Sequence, residues 1–150
     1  MHSYKVSTIW QEGKEGRIHV SGRPEVCVAT PPEFGGPSGR WSPEYLFVAS
    51  VDSCLMSTFL FFAEKSAIRI YSYSSTSVGR MDKTPDGLRF TAVDVSITVE
   101  VDGDSDLKKA TQLQSKLERY CPVSSSLRCP TTLHLRVAVR EGDPDRRSSS

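Results

Sequence analysis

The feature that most restricts the fold is an apolar run of 18 residues at positions 46–63, LFVASVDSCLMSTFLFFA. A run of this length could cross a bilayer, but Asp52 lies near its middle, and a charge at bilayer depth costs at least about 2.5 kcal/mol. Residues typical of a helix start precede the run, since Ser42 can cap, Pro43 suits the first helical position and Glu44 favours the positive end of the helix dipole. The sequence therefore predicts a long helix that is buried on most sides in a protein core, with no membrane partner.

Alternation of apolar and polar residues predicts strands on both sides of this helix. This two-residue repeat predicts six strands, at residues 4–10, 18–20, 26–29, 68–82, 93–101 and 133–139. A second helix is expected from Asp104 or Ser105 to Cys121, where Pro122 breaks it, followed by a short helical turn to Leu127. The order β-β-β-α-β-β-α-α-β predicts an α+β fold.

Length and composition bound the organisation of the chain. Its 150 residues predict a single domain over residues 1–141 and a disordered polar tail, GDPDRRSSS, over residues 142–150. Three prolines and three glycines at positions 30–40 predict an irregular crossing loop. Nineteen basic and eighteen acidic residues give a net charge of +1, which argues against a nucleic-acid partner.

The four cysteines are too few to build a disulfide scaffold at this length. The first 20 residues also lack an apolar leader, so we expect a cytoplasmic protein, in which paired thiols are more often catalytic than structural. Cys54 lies in the middle of the apolar helix, whereas Cys121 and Pro122 begin a turn whose backbone N–H groups would lower a thiol pKa. Simple packing stays open for both residues. Cys27 and Cys129 are expected to pack or to lie exposed without function.

The sequence gives little support for a metal site, a hydrolase or a nucleotide-binding protein. There is no CxxC pair, and the three histidines have no ligand spacing, so we expect no metal site. His19 and His134 fall at outward-facing strand positions, which disfavours a Cys–His hydrolase. GxSxG, P-loop and GxGxxG motifs are absent from the sequence, so no nucleotide or other cofactor is expected.

Two segments together resemble the OsmC/Ohr family of thiol-dependent peroxidases. One is SPEYLFVASVDSC at residues 42–54, continued by STFLFFAE on the same helix, and the other is RYCPVSSSL at residues 119–127. The resemblance implies an intertwined homodimer in which antiparallel sheets wrap around the central helices. It also implies that the active sites lie at the subunit interface.

The resemblance further implies a peroxidase reaction in two steps. Cys54 would attack an organic hydroperoxide and become a sulfenic acid, and Cys121 would then form a disulfide with it. An external dithiol, such as a lipoylated protein, would restore both thiols. Leu55, Phe59 and Phe62 are the expected apolar walls of the substrate site.

In the same family an arginine in an N-terminal glycine turn pairs with the glutamate at the start of the helix, here Glu44. The turn of this chain reads GKEGR, so Lys14 holds the matching position and Arg17 follows it. A lysine lacks the planar guanidinium group with which an arginine makes two hydrogen bonds to one carboxylate. Arg17 is therefore the expected partner of Glu44 in the catalytic site, with Lys14, Arg40 and Arg23 as alternatives.

Two other functions stay open. Because Lys14 stands where the family has an arginine, the chain could also be a dimer of the same fold that has no peroxidase turnover and binds a small apolar ligand. A general thiol–disulfide oxidoreductase is the third possibility, although such enzymes usually carry a CxxC pair.

Overall fold

The computed structural model of the chain describes residues 1–141. The predicted disordered tail lies outside the described residues. The described residues form two compact units, which divide between Ala49 and Ser50. The assignment of residues 1–141 to a single domain stays a prediction.

The elements follow the predicted order, and the α+β fold class is confirmed. The elements are β1 (Ser7–Glu12), β2 (Glu15–His19), β3 (Val26–Ala29), α1 (Pro43–Lys65), β4 (Ile70–Thr84), β5 (Gly87–Val101), α2 (Asp104–Thr111), α3 (Gln114–Tyr120) and β6 (Thr131–Val139). Single 3-10 turns occur at Pro32–Phe34 and Ser124–Ser126.

In the first unit, β1, β2 and β3 pair in that order as the predicted antiparallel meander. The proline-rich loop that follows is less irregular than expected, because it contains the 3-10 turn at Pro32–Phe34. A proline is tolerated at a helix start, where its missing N–H would have no partner in any case. The loop closes tightly at Gly36, where an added Cβ would lie 1.6 Å from the carbonyl oxygen of Thr30.

Helix α1 starts as the sequence predicts and buries one stripe of its surface. The backbone N–H of Tyr45 donates to Ser42 Oγ at 3.2 Å, which caps the helix. Its buried residues are Val51, Leu55, Thr58, Phe59 and Ala63. The expected burial on most sides is not reached within the single chain, because Met56, Leu60 and Phe61 are 38%, 42% and 54% exposed.

Among the described residues, α1 is the one helix that is long and apolar enough to span a membrane. Asp52, the charged residue within its apolar run, is accommodated within the protein, since Ser77 on β4 donates a hydrogen bond to it at 2.6 Å. A core helix of a protein passes the same length and hydropathy test.

Strand β5 lies at the centre of the second sheet, in the order β4-β5-β6. The predicted inward face is confirmed, since its five alternating apolar residues are at most 1% exposed: Val93, Val95, Ile97, Val99 and Val101. β6 pairs only with residues 93–101 of β5, so within the described sheet residues 87–92 pair with β4 alone. The β4–β5 hairpin therefore extends beyond the third strand.

The pairing of β5 with β6 is parallel, which corrects the expectation of purely antiparallel sheets. Parallel neighbours need a long crossover connection, and the segment of α2 and α3 supplies it. This segment also differs from the single helix predicted up to Cys121, because the helix is interrupted at Gln112 and Leu113. The Leu113 N–H donates to the carbonyl oxygen of Ala110, three residues back, instead of to the carbonyl four residues back as in a regular α-helix. The tightened turn keeps Ala110, Leu113, Leu117 and Cys121 buried.

Candidate active site

The second unit brings Cys54 and Cys121 together, although they are far apart in the sequence. Cys54 lies in the middle of α1 and is partly exposed, whereas Cys121 follows α3 directly and is fully buried. Both are free thiols, and they lie close enough for the Cys121 thiol to raise the pKa of Cys54. One sulfur of the pair is therefore accessible from outside and the other is shielded behind it.

The turn after Cys121 supplies a hydrogen-bond donor to the opposite thiol. The turn is closed by the Ser125 backbone N–H and Oγ, which donate to the Cys121 carbonyl oxygen at 3.1 and 2.7 Å. Pro122 has no N–H, and the N–H of Val123 donates to Cys54. The sequence predicted that the N–H groups of this turn would favour a Cys121 thiolate. The structure directs the Val123 N–H to Cys54, because the α3 terminus lies beside the middle of α1.

The pKa of Cys54 lies above its ordinary value. Burial is the largest cause, since an apolar environment disfavours the thiolate. The Val123 N–H lowers the pKa, the Cys121 thiol raises it, and the Thr58 hydroxyl lowers it slightly. No basic side chain of the described residues 50–141 is among these groups. Within this unit, Cys54 is therefore activated only by neutral donors, which do not fully offset its burial.

Cys54 opens into an apolar pocket of about 370 Å³. It is lined by Cys54, Ser57, Thr58, Phe61, Phe62, Tyr120 and Pro122. Of the three expected walls, only Phe62 lines this pocket. The expectation for Leu55 and Phe59 is wrong, because residues that follow Cys54 by three, four, seven and eight positions share its helix face. Leu55 and Phe59 are on the buried stripe and are at most 1% exposed.

Sequence reasoning missed Phe61, Tyr120, Pro122 and Thr58, although counting helical turns from Cys54 would have found Phe61 and Thr58. The aromatic rings form a continuous wall, with the Phe62 ring 5.3 Å from Phe61 and 5.7 Å from Tyr120. Thr58 Oγ1 donates to the Cys54 carbonyl oxygen at 2.8 Å, which places its hydroxyl beside the thiol.

Basic side chains surround this aromatic wall. Lys65 Nζ lies 5.4 Å from the Phe61 ring centroid, and Lys116 Nζ lies 5.2 Å from that of Phe62. The Arg119 guanidinium lies 5.2 Å from the Tyr120 ring centroid. A cation over a ring face is attracted by the ring quadrupole, so these contacts hold positive charge at the rim of an apolar pocket.

Glu44 and the four basic candidates lie in the first unit. Glu44 Oε2 is buried and has no hydrogen-bond partner among the described atoms. Each candidate has another partner: Lys14 donates to the Phe34 carbonyl (3.0 Å), Arg17 to Glu25 (3.1 Å), Arg23 to the Ser21 carbonyl (3.2 Å) and Arg40 to Glu15 (3.1 Å). The described chain thus does not form the expected Glu44–Arg17 pair, and the catalytic roles of both residues stay predictions.

The remaining candidates take no part in this site. Cys27 lies exposed on β3, and Cys129 is a half-buried free thiol just before β6. Among the described residues, no group of three His, Cys, Asp or Glu side chains is arranged to hold a metal ion.

Comparison with known proteins supports a single family. The family model described as OsmC-like protein matches residues 35–136. An uncharacterized protein of Acinetobacter baylyi is 29% identical over 119 residues, which cover 77% of this chain and 80% of that protein. An OsmC-like protein of unknown function from Vibrio cholerae superposes with a TM-score of 0.83 at 19% identity, over 91% of this chain and all of the other. The organic hydroperoxide resistance protein OsmC of Legionella pneumophila gives a TM-score of 0.67 at 26% identity, over 93% and 100%.

Proposed function

The chain belongs to the OsmC-like protein family, and on that basis we propose that it is a cysteine-based peroxidase that reduces organic hydroperoxides. The observation that carries this proposal is the contact between a partly exposed Cys54 thiol and a buried Cys121 thiol at an apolar pocket. Two cysteines that merely filled the core would both be shielded from solvent.

The proposed reaction needs both sulfurs. The Cys54 thiolate attacks the distal oxygen of the hydroperoxide, the O–O bond breaks, and the leaving alkoxide takes up a proton to become an alcohol. Cys54 is then a sulfenic acid, which condenses with the Cys121 thiol to form a disulfide and water. An external dithiol, for example a lipoyl group on a protein, reduces the disulfide.

The pocket supports an organic peroxide rather than hydrogen peroxide. Phe61, Phe62 and Tyr120 offer apolar contact to an alkyl or aryl group while its peroxide end reaches Cys54. The basic rim favours substrates that also carry a negative charge. The enzyme would work in the cytoplasm, and as a homodimer its second subunit would cover the exposed side of α1.

Free-thiol counts after addition of one equivalent of cumene hydroperoxide test this proposal. The wild-type protein should consume the peroxide and lose two thiols together. Cys54→Ser should consume no peroxide above background, whereas Cys121→Ser should consume one equivalent and retain a sulfenic acid that dimedone traps. Cys27→Ser is the matched control and should behave as wild type. A Cys54→Ser variant as active as wild type would refute the proposal.

The raised pKa of Cys54 favours one alternative, a protein of the same fold that binds a small apolar ligand in this pocket without turnover. Such a protein would keep both thiols in the peroxide experiment. Native mass spectrometry of the purified protein would then show a bound apolar molecule, which Phe62→Glu should release.

A further inference from the structure

Three basic side chains at the cysteine pocket have no anionic partner. They are Lys65 at the end of α1 and Lys116 and Arg119 on α3, and together they form the basic rim of the pocket. Within the described residues 1–141, none of the three forms an ion pair. Arginines elsewhere are neutralised by carboxylates of the chain itself, namely Arg17, Arg40, Arg69, Arg80 and Arg140. The basic rim is therefore a positive charge that these residues leave uncompensated.

Aromatic rings hold the three cations beside the pocket without cancelling their charge. The two ammonium groups and the guanidinium lie 5.4, 5.2 and 5.2 Å from the ring centroids of Phe61, Phe62 and Tyr120. All three rings line the pocket that contains Cys54, whereas the three basic residues are exposed. A ring face attracts a cation through its quadrupole but carries no net charge. The pocket thus combines apolar walls with an accessible positive margin.

The lysines of the basic rim lie far from the thiol. No basic side chain of the described residues 50–141 is among the groups that shift the pKa of Cys54. Phe61 and Phe62 follow Cys54 by seven and eight positions, which places their backbone about 10–12 Å farther along α1. The lysines held by these rings would therefore meet the opposite end of a ligand whose reactive end lies at Cys54.

The acidic residues next to the basic rim in the sequence do not cancel it. Glu118, the acidic residue of α3, lines a separate pocket and accepts a hydrogen bond from Gln114 at 3.1 Å. Glu64 adjoins Lys65, but consecutive residues of a helix do not face each other. The positive charge is thus available to a ligand that carries a negative group.

We propose that the basic rim selects ligands that carry a carboxylate at the end remote from Cys54. Under the proposed function, on which this inference rests for its chemistry, the substrate is then an organic hydroperoxide with a carboxylate opposite the peroxide. Its apolar part contacts the aromatic wall, its peroxide reaches Cys54, and its carboxylate lies at the basic rim. A neutral hydroperoxide of the same shape makes the first two contacts but not the third, so it is a poorer substrate.

The first test measures binding and does not depend on peroxidase activity. Reduced full-length protein is alkylated with iodoacetamide, and modification of Cys54 is followed by peptide mass spectrometry in the presence of 4-isopropylbenzoate or its neutral isostere, 4-isopropylbenzamide. The carboxylate should protect Cys54 at a concentration about fivefold lower than the amide, as expected for exposed charge pairs. The preference should shrink in about 0.5 M sodium chloride, because salt screens exposed charges. Equal protection by the two compounds in wild type overturns the inference.

Charge-removing variants assign the preference to the basic rim. The triple variant with Lys65→Gln, Lys116→Gln and Arg119→Gln should lose it, and each single substitution should reduce it in part. Lys83→Gln, which removes the same charge from an exposed position near the end of β4, is the matched control and should keep it. The ratio of the two protecting concentrations isolates charge, since a structural defect would weaken protection by both compounds alike. A triple variant that folds and keeps the full preference overturns the inference, and the single variants decide the question if the triple variant does not fold.

The second test uses the corresponding hydroperoxides, 4-(2-hydroperoxypropan-2-yl)benzoate and its carboxamide. Wild-type protein should have a kcat/KM about fivefold higher for the carboxylate, and the triple variant should not discriminate. Consumption of both compounds with equal kcat/KM overturns the inference while the proposed function stands. If neither is consumed but 4-isopropylbenzoate still protects Cys54 better than the amide, the proposed function fails and the selection of carboxylates by the basic rim is supported.

Discussion

At the scale of single residues, the reactivity expected of Cys54 depends on how neutral groups act on a partly buried thiol. The Val123 N–H and the Thr58 hydroxyl both lower the pKa of Cys54, but burial raises this pKa by more. The thiolate is the reactive form. The rate of Cys54 chemistry should therefore follow the thiolate fraction that these groups set.

The first prediction concerns pH. Because the pKa of Cys54 is raised, only a small thiolate fraction is present at neutral pH, and this fraction grows about tenfold per pH unit until the pKa is reached. Alkylation of Cys54 by iodoacetamide, resolved by peptide mass spectrometry, should rise steadily beyond pH 8.5, the ordinary thiol pKa being about 8.5. A plateau below pH 7 would instead mean that a cation from outside the second unit activates the thiol.

The second prediction concerns Thr58. Thr58→Val keeps the shape of the side chain but removes the hydroxyl that lowers the pKa of Cys54. Thr58 has the smallest effect of the groups that act on Cys54. We therefore take the lower end of the net value of a hydrogen bond, about 0.5 kcal/mol, and expect alkylation of Cys54 at pH 7.5 to slow by about twofold. Ser57→Ala, in the same pocket, is the control, and an equal effect there would contradict a specific role for Thr58.

At the scale of elements, α1 determines the position of the Cys54 sulfur. Cys54 faces the pocket only because the register of the helix places it with Ser57, Thr58, Phe61 and Phe62 on one side. The stripe that contains Leu55 and Phe59 is buried in the core. The capped start fixes where the helix begins, so loss of the cap should weaken the element that carries the site.

A third prediction tests this cap. Ser42 accepts the N–H of Tyr45 and is 2% exposed. Ser42→Ala should lower the free energy of unfolding by about 1 kcal/mol, whereas Ser42→Gly should cost only a few tenths. Urea denaturation followed by circular dichroism measures both, and equal midpoints for wild type and Ser42→Ala would show that the cap is not needed.

At the scale of the whole molecule, the single chain leaves apolar surface on α1 uncovered. Met56 and Leu60 lie four residues apart on one helix face and are about two-fifths exposed. A second copy of the chain would cover this face, as the intertwined homodimer implied by the family resemblance requires. Such a dimer would explain why the sequence of α1 is apolar on nearly all sides while the chain alone buries one stripe.

The fourth prediction concerns the oligomeric state, which should be a homodimer. Light scattering at micromolar concentration should give about twice the chain mass of 16.6 kDa. Leu60→Glu should shift the protein towards monomer, because it buries an unpaired charge in the interface. A wild-type protein that scatters as a stable monomer would remove the basis for a site at the subunit interface.

Most of the fold followed from local patterns, whereas the details of the site did not. The alternating valines of β5 directly indicated a strand with one buried face, and Ser42 directly indicated where α1 begins. The parallel pairing of β6 was missed, since strand direction depends on the crossover and not on the strand's own residues. The donors to Cys54 were also missed, because the Val123 N–H is a backbone group brought close only by tertiary packing.

The projecting end of the β4–β5 hairpin has a consequence for solubility. Beyond the last residue paired with β6, the outer edge of β5 has no neighbouring strand among the described residues, and another molecule could extend such an edge into a fibre. Charged residues occupy this end of the hairpin, among them Lys83, Asp86 and Arg89, beside the exposed Leu88. Charged side chains on an edge strand oppose such stacking, so we expect the protein's resistance to aggregation to depend on side chains that lie outside the cysteine pocket.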